Sequence, residues 1–166
     1  MRKFGMILAG LVLVLGFSCN IDSKTKENKT VVVGIEEGMK PPEFELSDLA
    51  GKKVALKDYL GKAVLINFFA TWCPYCRDEM PVLKEISSRY NIQIITIDIQ
   101  ESQNKVKKFM ENAGISHKVL IDQTGSVAKT YQVRGIPTNI LIDKKGIIRF
   151  YGNTLPDDKV IKSTLK

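Results

Sequence analysis

The sequence predicts an α/β layered domain, with a central mixed sheet flanked by helices, from three observations. Short runs of strand character alternate with segments whose apolar residues recur at helical spacing. Lys62–Phe69 is almost continuously apolar, as a central strand covered on both faces must be. The last two strand-like runs are separated by Asp143-Lys144-Lys145-Gly146, a turn sequence that adds an antiparallel edge. With 166 residues, 44% hydrophobic and 26% charged, the chain has room for one such domain and some extra length. That composition excludes a disordered chain and a multi-span membrane protein.

In chain order, Pro41-Pro42 opens the domain, because proline stops the preceding chain from running on as helix or inner strand. Phe44–Leu46 and Val54–Leu56 flank Asp48–Lys52 as an N-terminal β-hairpin. After the strand at Lys62–Phe69, Met80, Leu83 and Ile86 mark a helix from Pro74 to about Tyr90, which Pro81 should interrupt with a kink. Gln93–Ile99 is a β-branched strand. Ser102 caps a helix carrying Val106, Phe109 and Met110, and Gly114 ends it. Val119–Ile121 is a short strand and Val127–Tyr131 a helical turn or two. Thr138–Ile142 and Ile147–Tyr151 form the closing hairpin, and Asp157–Leu165 is a helix with Val160, Ile161 and Leu165 on one face.

The N-terminus reads differently. Met1-Arg2-Lys3 is a basic start and Phe4–Phe17 an uncharged, mostly apolar run. That run is short for a bilayer span and fits a signal peptide over residues 1–18. Gly16-Phe17-Ser18-Cys19 resembles a bacterial lipoprotein lipobox, although Gly16 stands where an aliphatic residue is usual. Cleavage with lipidation of Cys19 is the preferred reading, ahead of plain secretion and an uncleaved anchor. All three export the domain. Residues 19–34 then form a polar, lipid-anchored tether, and residues 35–166 the folded domain. The formal charge of +7 reads as a solvated basic surface. No cluster of basic and aromatic residues points to nucleic acid.

Chemistry concentrates at Cys73-Pro74-Tyr75-Cys76. Three cysteines, two of them paired at this spacing, are too few for a structural disulfide framework. A C-x-x-C between a buried strand and a helix is a redox motif. The run Asn67–Pro81, together with Val133-Arg134-Gly135-Ile136-Pro137-Thr138 and Leu141-Ile142-Asp143, resembles the TlpA/ResA-like branch of the thioredoxin superfamily over about Pro41 to Tyr151. The resemblance implies a thioredoxin-like fold with an added strand–helix element between the C-x-x-C helix and a cis-proline at Pro137. It also implies an extracytoplasmic, monomeric thiol–disulfide oxidoreductase acting on disulfide-containing proteins, among them those of cytochrome c maturation. A membrane thiol reductase would supply electrons. The redox-active disulfide Cys73–Cys76 is the only redox group implied, with no further cofactor.

At a helix N-terminus, unpaired N–H groups and the dipole favour the thiolate of Cys73, the form that attacks disulfides. Cys76, one turn on, is expected deeper and resolves the mixed disulfide. Glu79, three residues further along the helix, is a candidate acceptor for the Cys76 proton. Trp72, Pro74, Tyr75, Ile136 and Pro137 are candidate substrate contacts, Ile136 through its free backbone. Alternative readings are a copper-binding thioredoxin-fold protein and a general disulfide oxidant. Outside Cys19, two cysteines and His117 fall short of a closed zinc site, so no metal is expected. Thr71 and Cys73 lack the spacing of the P-x-x-x-T-x-x-C pattern of peroxiredoxins. Pro74-Tyr75 is the dipeptide familiar from glutaredoxins. The domain's potential is therefore expected in their range, roughly −200 to −230 mV, above thioredoxin's roughly −270 mV. Equilibration with a glutathione couple measures it, and a value at or below thioredoxin's contradicts the dipeptide argument.

Overall fold

The computed structural model describes residues 32–166. The expected signal peptide, Cys19 and most of the expected tether lie outside these residues. Val32 and Gly34, assigned to the tether by sequence, exchange backbone hydrogen bonds with Lys40 at 2.9 Å, so pairing begins before Ile35.

Seven strands form one sheet: β1 (Glu45–Asp48), β2 (Lys53–Ala55), β3 (Ala63–Phe69), β4 (Ile92–Ile99), β5 (Lys118–Asp122), β6 (Thr138–Ile142) and β7 (Ile148–Gly152). Among the described residues four α-helices accompany them: α1 (Pro74–Arg89), α2 (Gln103–Asn112), α3 (Ser126–Thr130) and α4 (Asp158–Thr164), which follows the last strand. The spatial order is β2-β1-β5-β4-β3-β6-β7. β3, β4 and β5 are parallel, while β6 runs antiparallel to β3 and β7 to β6. The hairpin β1–β2 extends the other edge by pairing antiparallel with β5. α2 and β5 are the added elements between α1 and Pro137.

Every residue of β3 is buried, which is why its sequence is apolar without alternation. Leu65 and Phe69 face Met80 and Leu83 of α1, Val106 and Met110 of α2 and Ile161 of α4. Val64, Ile66 and Phe68 face the opposite layer, where Phe44, Leu56, Val127 and Tyr131 pack. The antiparallel partner β6 brings the residues just before it to the C-terminal end of β3, beside the start of α1.

Local chemistry shifts several expected boundaries. Leu56 belongs to a 3-10 turn, Leu56–Tyr59, whose Asp58 carboxylate accepts the Ala55 N–H at 2.9 Å and so ends β2. α1 continues through Pro81 as one helix rather than being interrupted. The carbonyl that Pro81 leaves unbonded belongs to Arg77, an exposed residue where water can serve it. Ser102 caps α2 by position only, its side chain making no capping bond. Asp157 caps α4 by accepting the Val160 N–H at 2.8 Å. In the last hairpin, Asp143 Oδ1 accepts the N–H groups of Lys145 and Ile147 at 2.8 and 3.0 Å, and Gly146 takes φ +77°, a value that suits glycine.

Leu83 is wholly buried between α1 and the sheet. Leu83→Ala should destabilise the domain by about 2–5 kcal/mol, read from urea midpoints with the slope unchanged.

Candidate active site

Cys73 is the N-cap residue of α1, with extended backbone, and Pro74 follows as the first helical residue, where its missing N–H costs nothing. Cys73 Sγ accepts the Cys76 N–H at 3.2 Å. The sixteen-residue helix therefore directs a backbone donor and its positive end at this sulfur. The two cysteines form a disulfide, with Cα atoms 5.3 Å apart.

The order of burial follows the sequence expectation, but its degree does not. Cys76 is 0% exposed and Cys73 only 3%, although the sequence reading has Cys73 as the reachable sulfur. In the disulfide each sulfur is turned toward the other, and the Ile136 carbonyl lies 3.7 Å from Cys73 Sγ. The exposed surface of the motif belongs instead to Trp72 and Tyr75, at 65% and 75%, with Pro74 exposed between them. These side chains offer apolar contact area to a partner.

The Ile136–Pro137 peptide bond is cis. Asn153 Nδ2 donates to the Pro137 carbonyl at 2.9 Å and to Thr138 Oγ1 at 3.2 Å, and Thr138 Oγ1 donates to the Gly135 carbonyl at 2.6 Å. This loop is thereby tied to the end of β7. Among the described residues, no backbone hydrogen bond engages Ile136. Between the loop and α1 runs an open groove of about 680 Å³, lined by Tyr75, Asp78, Glu79 and Val82 on one side and by Arg134–Pro137 with Asn153 and Thr154 on the other.

Glu79 closes the inner wall of that groove. Its carboxylate accepts from Asn67 Nδ2 at 3.1 Å and from Asn139 Nδ2 at 3.0 Å, and Asn67 also donates to Asn139 Oδ1 at 2.9 Å. Asn67 on β3 and Asn139 on β6 are paired across the sheet and fully buried. Burial raises the Glu79 pKa above the ordinary carboxylate value, against the two amides, which hold it down. The result is a half-buried acid on the same helix as Cys76, opening to the groove.

His117 is engaged elsewhere: its Nε2 lies 2.6 Å from Thr96 Oγ1, and burial lowers its pKa to about 4. Three features escaped the sequence reading, namely Asn139, Asn153 and the carboxyl pair Asp98 and Glu101 near Thr71. Asn139 and Asp98 each carried a signal, a polar residue inside an otherwise apolar strand.

Residues 38–151 match the AhpC/TSA family. Thiol-disulfide oxidoreductase ResA of Bacillus thuringiensis subsp. konkukian is 40% identical over 144 residues, covering 85% of this chain and 79% of the relative. Thioredoxin-like protein YneN of Bacillus subtilis is 34% identical over 150 residues, with 87% and 85% covered. The thioredoxin domain of a thiol-disulfide oxidoreductase from Bacteroides vulgatus superposes with TM-score 0.69 at 25% identity, over 78% of this chain and 96% of that one. A thioredoxin-family thiol:disulfide interchange protein from Chlorobium tepidum TLS gives TM-score 0.65 at 29% identity, over 75% and 94%. The buried C-x-x-C at a helix head, the facing cis-proline and these relatives agree: the chain belongs to the AhpC/TSA family of the thioredoxin superfamily, among its ResA-like thiol–disulfide oxidoreductases.

Proposed function

We propose that this oxidoreductase works as a reductase of disulfides in extracytoplasmic proteins, held at a membrane by a lipid on Cys19. The observation that carries the reading is the pairing of Cys73 Sγ with the Cys76 N–H at the head of α1, with Cys76 more deeply buried behind it. A thiolate at Cys73 is stabilised there, and a thiolate is what attacks a disulfide.

In the reductive cycle, reduced Cys73 attacks one sulfur of the substrate disulfide. A Cys73–substrate bond forms, the substrate S–S bond breaks, and the departing thiolate takes a proton. Cys76 then loses its proton to Glu79 and attacks Cys73 Sγ. The second substrate thiolate leaves and is protonated, and the Cys73–Cys76 disulfide remains. Two electrons have passed to the substrate. A membrane thiol reductase returns them, the donor implied by family resemblance. Trp72, Tyr75 and the Ile136–Pro137 loop receive the substrate as an extended segment, the Ile136 backbone pairing with it. The cysteines of an apocytochrome c are a substrate of this kind, also by family resemblance.

Cys76→Ser removes the resolving thiol, so protein-linked adducts should accumulate in cells and disappear on reduction. The adducts should be absent from the Cys73→Ser variant. Adducts that form without Cys73, or none at all, would remove the assignment of the attacking sulfur.

Glu79→Gln is expected to slow Cys76 alkylation in a Cys73→Ser background and to abolish its inflection above the ordinary glutamate value of about 4.3. Stability gives a second reading. Because the folded Glu79 holds its proton above the unfolded value, its contribution declines as pH rises from that value through the folded one. Urea midpoints of Glu79→Gln should lose that part of the decline. An unchanged pH profile for Cys76 would leave Glu79 without its proton-accepting role.

A further inference from the structure

Cys73 reaches the head of α1 through a turn, and that turn is held from the neighbouring strand. β3 ends at Phe69, and Cys73 N–H closes the turn by donating to the Ala70 carbonyl at 3.1 Å. Thr71, inside the turn, gives both of its hydrogen-bond donors to one carboxylate. Its backbone N–H donates to Glu101 Oε2 at 2.5 Å and its hydroxyl to Glu101 Oε1 at 2.8 Å. Glu101 follows the end of β4, is 8% exposed, and meets Lys105 Nζ at 2.5 Å.

Glu101 is itself anchored. Its N–H donates to Asp98 Oδ1 at 3.1 Å, and Asp98 is fully buried on β4, opposite Phe69 in the strand register. Asp98 Oδ2 has no hydrogen-bond partner among the described residues. Two carboxyl groups have thus been taken almost entirely out of water behind the redox motif. Filling this space with apolar side chains would avoid their desolvation, so packing alone does not account for them.

We propose that Glu101 is a positioning residue for the redox reaction: by holding both hydrogen-bond donors of Thr71 it fixes the turn that sets Cys73 Sγ against the Cys76 N–H. This rests on Cys73 being the attacking sulfur. Hydrogen bonds to an ionised group are stronger than neutral ones, so two of them from one carboxylate restrain the turn from Ala70 to Cys73. The thiolate depends on its distance from a single backbone donor, so a turn free to shift would weaken that contact.

Asp98 supports the arrangement by its charge state. Burial and the adjacent Glu101 raise its pKa well above the carboxylate range, whereas the bonds from Lys105 and Thr71 outweigh desolvation at Glu101 and lower its pKa. Both shifts favour negative charge on Glu101, whose oxygen atoms hold Thr71, over negative charge on Asp98. The other elements against Asp98 bring apolar groups, Phe69 from β3 and Ile121 from β5. Asp122 of β5 is turned to the opposite face, where its Oδ2 accepts the Ala128 N–H at 2.8 Å.

The test compares the full chain with Glu101→Ala, Glu101→Gln and Thr71→Val. The readings are the pH dependence of Cys73 alkylation in the reduced protein, the equilibrium with glutathione, and thermal unfolding. Glu101→Ala should raise the Cys73 pKa and slow its alkylation at neutral pH by roughly three- to tenfold. The same loss of thiolate stabilisation disfavours the reduced form. The glutathione equilibrium should move up to about tenfold toward the disulfide, some 30 mV more reducing. Thr71→Val should shift both in the same direction by less. Glu101→Gln should recover part of the effect, because its carbonyl still accepts one bond from Thr71. If Glu101→Ala keeps the wild-type alkylation profile and glutathione equilibrium, the proposal is overturned even where the melting temperature falls. Should Glu101→Ala not fold, unchanged values in Thr71→Val overturn it equally. A wild-type Cys73 titrating no lower than a free thiol, about 8.5, would instead sink the assignment of the attacking sulfur beneath it.

Discussion

The hydrogen bond from the Cys76 N–H to Cys73 Sγ organises this molecule. A helix must begin at residue 74 for that donor to exist, and a strand must end at residue 69 for the sulfur to meet it. Both conditions are met by sequence-local means. Proline occupies the first helical position, and an uninterrupted apolar run drives β3 through the middle of the sheet. The rest of the domain supplies what a helix head alone lacks: shielding from water, a facing loop, and an acid at the inner edge. A solvated cysteine at the same helical position would have its charge satisfied by water, and the helix would add little.

Around that contact the protein accepts polar groups in places where the sheet is otherwise apolar. Asn67 and Asn139 pair across β3 and β6 and hold Glu79 between them; Asp98 and Glu101 do comparable service on the other side of β3. Buried polar groups of this kind stabilise a structure only when satisfied, and most of these are. Among the described residues, two of the three buried side-chain atoms without a partner, Asn67 Oδ1 and Asp98 Oδ2, lie within these networks, and the third is Asp122 Oδ1 on β5. Other buried carboxylates, Asp48 and Asp143, serve turns at strand ends, where backbone N–H groups and a basic side chain satisfy them.

Most of the fold was legible in the sequence because its signals are local. The apolar run of β3, the helical spacing of apolar residues in α1 and the Asp143–Gly146 turn act over a few residues, and each element lies within a few residues of its expected span. The errors have local causes too. Asp58 reached back to Ala55 and turned the end of an expected strand into a 3-10 turn, and solvent at Arg77 let α1 pass through Pro81. At the site, the C-x-x-C motif marks Cys73 and Cys76, helical spacing adds Glu79, the family resemblance adds Pro137, and the structure gathers these residues at one end of the sheet. The near-complete covering of Cys73 was not legible, since it depends on Ile136, sixty-three residues away. Asn139 and Glu101 escaped for the same reason: their partners lie sixty and thirty residues distant, and periodicity carries no information at that range.

Strand order has one more implication. β3 and β6 are neighbours in space, although β4 and β5 come between them in sequence: β5, with the β1–β2 hairpin beyond it, lies on the far side of β4 from the groove. The loops that lead into and out of β5 are therefore places where added length leaves the distance across the catalytic cleft unchanged. Evolution, or an engineer, is free to rebuild the outer strands or splice in a recognition element there, because closing a longer excursion adds only slowly to the entropic cost. The fold separates the apparatus of electron exchange from the territory available for choosing partners.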